Sequence, residues 1–350
     1  MILATTLVTG ASIAPVSATP AQTDPAPTGG SIVVLGDSVA AGEGARDGYV
    51  YRDRTLLPGW VATGRPASTA DPCGRSDAAY GARVASALDA TLTNLACSGA
   101  SFERGITLDD RFDRARPDLV LVTAGANSVA FERAYAFCVL SARGVSETEA
   151  ARIVRASTVG DAFATALQLA ARRVLGTSPP AGTSACTAAN PGAYLRESVL
   201  NRAAAVGAEA RALAQAIRAR GRANGAVPQV VFTTYADPLP DAAAGVAVCP
   251  DAAGLGADEL AFMHDMFGSL NDALRDALAD VPGVRVADPD PAFAGHRWCD
   301  PSPWVYGPSI FLTDPASRVP FHPTPAGQRA IADAVLATRN ALPGEWRGTV

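Results

Sequence analysis

Lysine is absent from the chain: all 29 of its basic residues are arginine, spread along alanine-rich stretches, and the formal net charge is −5. With no basic cluster, nucleic acid is excluded as the expected partner. With no lysine, a Gly-Lys-Ser/Thr phosphate loop is excluded too. The sequence also lacks His-Glu-x-x-His, any Cys-x-x-Cys pair and any other metal-ligand spacing. Metalloprotease, zinc-ribbon and thioredoxin-type chemistry lose their signatures, and no cofactor is expected. No serine stands in Gly-x-Ser-x-Gly, the nucleophile elbow of ordinary α/β-hydrolases. Histidine occurs only three times, so a search for a general base is short.

What is present is apolar material in quantity. Of 350 residues, 48% are hydrophobic and 18% charged, enough for one large core. Residues 31–350 are expected to form a single domain, since strand-like and helix-like segments alternate with no long linker. Met1 to Ala18, "MILATTLVTGASIAPVSA", is uncharged and ends in a Val-Ser-Ala suited to signal-peptide cleavage. Its basic n-region is missing, so the expected start lies upstream of Met1. "TPAQTDPAPTGG" then reads as a flexible leader, completing a signal-and-leader segment over residues 1–30. The six cysteines are Cys73, Cys97, Cys138, Cys186, Cys249 and Cys299. The simplest pairing follows sequence order, Cys73–Cys97, Cys138–Cys186 and Cys249–Cys299, and implies a secreted, extracellular protein.

Five short β-branched runs read as buried parallel strands: "SIVVLGD" at Ser31, "TLTNLACS" at Thr91, "DLVLVTAG" at Asp118, "PQVVFTTY" at Pro228 and "GVRVADP" at Gly283. Helical patterns separate them. One starts at an N-cap-like Ser76; others cover roughly Glu147 to Val174, Glu197 to Asn224 and Ala257 to Leu278, and "TPAGQRAIADAVLATRNAL" closes the chain. This alternation predicts an α/β fold with a parallel sheet covered on both faces.

Ligands of such sheets bind beyond the carboxyl ends of the strands. Those ends carry Asp37-Ser38, Cys97-Ser98-Gly99 and Gly125-Ala126-Asn127. A serine hydroxyl attacks a carbonyl when a base takes its proton. His264 sits in a helical pattern beside apolar residues and reads as a packing or surface residue; His296 lies in a cysteine-adjacent loop. His322, in "VPFHPTPAGQ" before the last helix, is the expected base. The Ser38 and Gly99 backbone N–H groups and the Asn127 amide are expected to hold an oxyanion. Singly, Ser38 reads equally as a turn residue, Gly99 as a tight bend and Asn127 as a helix cap; together, each at a strand end, they describe an acyl-transfer site.

"GDSVAAGEGA", "LACSGAS", "VTAGANSVAF" and "FHPTPAGQ" resemble, in that order, the four sequence blocks of the GDSL, or SGNH, hydrolase superfamily, in particular secreted actinobacterial esterases and lipases with three disulfides. The resemblance implies a three-layer α/β/α fold with a five-stranded parallel sheet of flavodoxin-like order. It implies a serine nucleophile at Ser38, oxyanion donors at Ser38, Gly99 and Asn127, and a base at His322. "GHRWCDPSPWV" also resembles the stretch preceding the last block in secreted members.

Two positions depart from the family pattern. Ser128 stands where aspartate usually follows the asparagine. Val319 stands where a carboxylate usually precedes the histidine by three residues. The Val319 carbonyl is therefore expected to orient His322, with Asp314 as rival. The expected function is a secreted esterase or lipase acting on lipid or aryl esters, a monomer touching lipid interfaces transiently. Alternatives are a weakened cell-surface or carbohydrate-binding module, an acyltransferase, or a polysaccharide deacetylase on the same fold. Glu43, Tyr49, Tyr51 and Trp60 are candidates for lining an acyl or alcohol pocket. The segment from Phe131 to Asn190 is a candidate flap beside the cleft.

Overall fold

The β-branched run at Ile32–Val34 and the leucine after it are removed from solvent, which is what a strand covered on both faces requires. The computed structural model describes residues 30–52, 59–156, 160–162, 165, 184–241, 249–252 and 254–340. Strand β1 (Ser31–Gly36) is followed by a hairpin of β2 (Tyr49–Arg52) and β3 (Gly59–Ala62), then by β4 (Thr91–Asn94) and β5 (Leu119–Thr123). A two-residue pair, β6 (Cys186–Thr187) with β7 (Asn190–Pro191), precedes β8 (Gln229–Thr233) and β9 (Val284–Ala287).

Five of these form one parallel sheet in the order β4-β1-β5-β8-β9. All five expected strands are in it. Counted along the chain, the order is the flavodoxin-like 2-1-3-4-5, whose ligands bind where connections leave in opposite directions, between the first and third strands. That switch point lies between β1 and β5, whose carboxyl ends carry Ser38 and Asn127. The central strands are almost wholly buried, whereas β4 and β9, at the edges, are only partly so.

Helices Tyr80–Ala87 and Pro325–Asn340 pack together on one face, and Asn201–Ala223 and Ala257–Leu278 on the other, giving the three-layer α/β/α architecture. The last helix opens with Thr324 receiving the Gly327 N–H on its hydroxyl at 3.3 Å and Pro325 in the first helical position. The helix expected from Ser76 begins instead at Tyr80. Ser76 is held in the preceding turn, where its Oγ accepts the Ala78 N–H at 3.2 Å and its own N–H donates to the Ala41 carbonyl at 2.9 Å. The pattern from Glu147 yields a helix to Ala156, and most of its continuation to Val174 lies outside the described residues. The signal-and-leader segment falls outside them as well, apart from Gly30. In the pattern from Glu197, a π-helical turn, Arg196–Leu200, leads into the long helix. The bonds Cys73–Cys97, Cys138–Cys186 and Cys249–Cys299 pair all six cysteines in sequence order. Among the described residues no helix is long and apolar enough to cross a membrane.

Candidate active site

β1 ends at Gly36, and a one-turn helix, Ser38–Ala41, begins at once. Asp37 caps it by accepting the Val39 N–H on Oδ1 at 2.9 Å. Ser38 is therefore the first residue of the turn, partly exposed at the sheet's carboxyl edge. Its Oγ lies 2.6 Å from Nε2 of His322, a contact spanning 284 residues of chain.

The other imidazole nitrogen fixes the tautomer. Among the described residues, Nδ1 faces only carbonyl oxygens, Pro320 at 2.9 Å and Val319 at 3.3 Å. Carbonyls accept and cannot donate, so the proton sits on Nδ1 and the Nε2 lone pair receives the Ser38 hydroxyl. The nearer carbonyl belongs to Pro320, one residue beyond the expected Val319. The cause is local: the Val319 carbonyl already accepts the His322 backbone N–H at 3.1 Å, and Phe321 takes the left-handed conformation, φ 70°. Such a conformation in a non-glycine residue costs on the order of 1–3 kcal/mol and persists only where its surroundings enforce it. Phe321 is braced by rings of Phe131, Tyr135 and Trp298 at centroid distances of 5.4–6.1 Å.

Val319 fills its position by packing. It is 2% exposed in a small apolar cluster with Trp60, Tyr306 and Ile310. The rival Asp314 is committed elsewhere, accepting the Tyr49 hydroxyl at 2.8 Å. Tyr49, Tyr51 and Trp60 belong to the hairpin; Tyr49 and Trp60 pack their rings against Tyr306 and Tyr51 packs against Trp60, and none of them lines either cavity over the serine. Of the other histidines, His296 stacks on Trp304 with ring centroids 3.7 Å apart and bonds the Ser302 carbonyl, and His264 pairs with Asp237 at 2.5 Å. Neither approaches Ser38.

Gly99 has φ +80°, a conformation that favours glycine, and a side chain built there would meet no atom within 4 Å. Gly99 lines the outer cavity together with Ser38. Asn127 gives one Nδ2 hydrogen to the Ala100 carbonyl at 2.9 Å, leaving the second directed elsewhere. Ser128, in the usual aspartate position, accepts the Phe102 N–H at 3.1 Å and bonds Glu103 at 3.2 Å. It thus ties the loop after β5 to the one carrying Gly99.

Two cavities meet over the serine. One, of about 60 Å³, runs inward and is walled mainly by Phe131, Phe267, Val305, Phe321 and Ile331. The other, of about 490 Å³, opens to solvent and is lined by Glu43, Ser98, Gly99 and Arg318 together with Phe311 and Pro315. Ser38, Asn127, Glu132 and His322 line both. Phe131, Glu132 and Gly160 bring the candidate flap segment to the cleft.

Burial decides the electrostatics. His322 is held below the usual imidazole range by burial, which leaves it neutral, with Nε2 free to accept a proton, near neutrality. Burial pushes the Asp37 carboxyl up to about 6, against hydrogen bonds from Tyr235 and Val39 that pull it down. Glu132 is pushed up to about 7 by burial first and the Asp37 charge second. Two contributors carry no sequence signal, Tyr235 and Gln328. The Tyr235 hydroxyl donates to Asp37 and accepts the Ala126 N–H at 3.2 Å. Gln328, 0% exposed, accepts the Tyr80 N–H and donates to the Val39 carbonyl. Glu43, a pocket-lining candidate in the sequence, lines the outer cavity; it is 1% exposed and is bonded by Ser98 and Arg318.

The sequence matches the GDSL-like Lipase/Acylhydrolase family over residues 34–330. An extracellular lipase from Streptomyces rimosus is similar in structure, with 21% identity, 88% of this chain and 99% of that chain covered, and a TM-score of 0.53. A phospholipase A1 from Streptomyces albidoflavus is similar at 20% identity, with 89% and 99% covered and a TM-score of 0.52. These likenesses describe the fold. No curated protein matches the chain significantly.

Proposed function

The chain belongs to the GDSL-like lipase/acylhydrolase family and is a carboxylic ester hydrolase, and on that premise we propose that it cleaves esters through an acyl-enzyme on Ser38 with His322 as base. The observation that carries this is the 2.6 Å contact between Ser38 Oγ and His322 Nε2 at the junction of the two cavities. Ser38 attacks the acyl carbonyl as His322 takes its proton. The Ser38 and Gly99 N–H groups and the free Asn127 amide hydrogen hold the oxyanion, and each such donor is worth roughly 3 kcal/mol in the transition state. His322 then protonates the leaving alcohol, and water, activated by the same imidazole, releases the acid.

The walls apportion the substrate. The inner cavity has a mostly apolar lining and suits the acyl group; the outer one is wider, more open and of mixed lining, and suits the alcohol. This favours lipid or aryl esters over acetylated sugars. Three disulfides using every cysteine support a secreted protein. The test is hydrolysis of p-nitrophenyl esters from acetate to palmitate by the oxidised protein and by Ser38→Ala. Turnover that peaks beyond acetate and vanishes in the variant supports the proposal; turnover surviving in Ser38→Ala overturns it.

A further inference from the structure

Glu43 is a carboxylate almost without solvent contact, 1% exposed, five residues after the nucleophile. Its backbone N–H donates to the Ser38 carbonyl at 2.9 Å, so it rides on the turn that carries the serine. Its Oε2 accepts the Ser98 hydroxyl at 3.1 Å and pairs with Arg318 Nη2 at 3.0 Å, and its Oε1 accepts the Ser68 hydroxyl. Ser98 adjoins Gly99, and Arg318 stands four residues before His322. One buried carboxylate thus joins the nucleophile, oxyanion and base loops.

The fit around it is close. A Cβ on Gly74 would fall 2.2 Å from Glu43 Oε2 and 2.6 Å from Ser98 Oγ, so the loop joined through Cys73–Cys97 closes directly over the carboxylate. Ser98 adds to this by donating its N–H to the Cys73 carbonyl at 2.9 Å. Burying a carboxylate is costly even when it is paired, and its position beside the catalytic dyad indicates what it does there. Proton transfer from Ser38 makes His322 an imidazolium. In a triad a carboxylate on Nδ1 stabilises that cation, but here Nδ1 has only neutral carbonyls. Glu43 lines the open cavity together with His322.

We propose that Glu43 is a positioning residue that supplies the charge the dyad lacks, stabilising the His322 imidazolium from across the open cavity while holding the oxyanion and base loops in register. The inference rests on the base role of His322. Among the described residues, the charged groups facing that imidazole are Glu43 and Arg318 from the open cavity, Asp37 from the inner one and Glu132 from both. Glu43 raises its proton affinity and Arg318 lowers it.

The two variants Glu43→Gln and Arg318→Met therefore have opposite expected effects. With only three histidines in the chain, NMR titration resolves the His322 imidazole, with His322→Ala for assignment. Glu43→Gln should lower its titration midpoint, and Arg318→Met raise it, each by about half a pH unit or more. The acid limb of kcat/KM on p-nitrophenyl butyrate should move the same way in each variant, with kcat falling about tenfold in Glu43→Gln and KM changing little. Midpoints that stay put, or move in one direction in both variants, overturn the proposal and leave Glu43 a purely structural tie. Arg318 has an exposed side chain, 44%, so Arg318→Met carries the test alone if Glu43→Gln does not fold. Full activity in His322→Ala would instead overturn the base role itself, whatever the midpoints show.

Discussion

The Tyr235 hydroxyl donates to the Asp37 carboxylate at 2.5 Å while receiving the Ala126 N–H at 3.2 Å. One phenol so links the turn that carries Ser38 to the loop that carries Asn127, across a separation of 198 residues between Tyr235 and Asp37. Tyr235→Phe would leave the buried Asp37 short of a donor and Ala126 without its acceptor. Unmade buried hydrogen bonds cost about 1–3 kcal/mol. The variant should unfold at lower temperature and lose about tenfold in kcat through a misplaced oxyanion donor. An unchanged kcat on p-nitrophenyl butyrate would show that the link is dispensable.

Asp314 bonds Tyr49, not His322. Asp314→Asn should therefore keep turnover within about twofold of the parent, with only a small drop in melting temperature. A loss of about a hundredfold in a folded variant would return the orienting role to Asp314 and contradict the carbonyl assignment.

Much of this site is readable in the sequence because its residues sit where strands stop. Ser38, Gly99 and Asn127 each follow an apolar run, and the parallel sheet brings such ends to one edge. His322 stands beside a Thr-Pro helix start that fixes where the loop ends. The orienting Pro320 carbonyl is not readable, because its direction depends on the left-handed turn at Phe321, which the packing of distant rings enforces. Tyr235 and Gln328 are hidden for another reason. Each acts across some two hundred residues or more, and neither residue type marks its role. Val319 is informative in retrospect: the side chain belongs to the hairpin's apolar cluster, so the position serves packing in place of charge.

Burial pushes Asp251, 0% exposed, up to about 6 from the ordinary 3.8, although it accepts the Ser309 N–H at 2.8 Å. The folded protein holds this proton more tightly than the unfolded chain. Its contribution to stability is therefore complete below the unfolded value and is lost as pH rises through about 6. The shift corresponds to about 3 kcal/mol. Asp251→Asn removes the loss, so its melting temperature relative to the parent should improve between about pH 4 and pH 8. A difference that stays constant or worsens over that range would contradict the assignment.

Glu132 lines both cavities and is pushed up to about 7, so it gains its charge across neutrality. Above that value its carboxylate should favour a cationic alcohol over a neutral one of the same shape. The measurement is kcat/KM for butyrylcholine against 3,3-dimethylbutyl butyrate. The ratio should rise a few-fold from about pH 6 to pH 8 in the parent and stay flat in Glu132→Gln. A ratio independent of pH in both would remove Glu132 from the alcohol subsite.

The central claim is that Ser38 is made nucleophilic by His322 held on backbone carbonyls alone. Intact-mass analysis with a fluorophosphonate, followed by peptide mapping, tests it most directly in the parent, Ser38→Ala and His322→Ala. The account predicts a single adduct located on Ser38 in the parent, none in Ser38→Ala, and labelling slowed by about a thousandfold or more in His322→Ala. Labelling of Ser38 at the parental rate in folded His322→Ala, or an adduct on another serine, would contradict it.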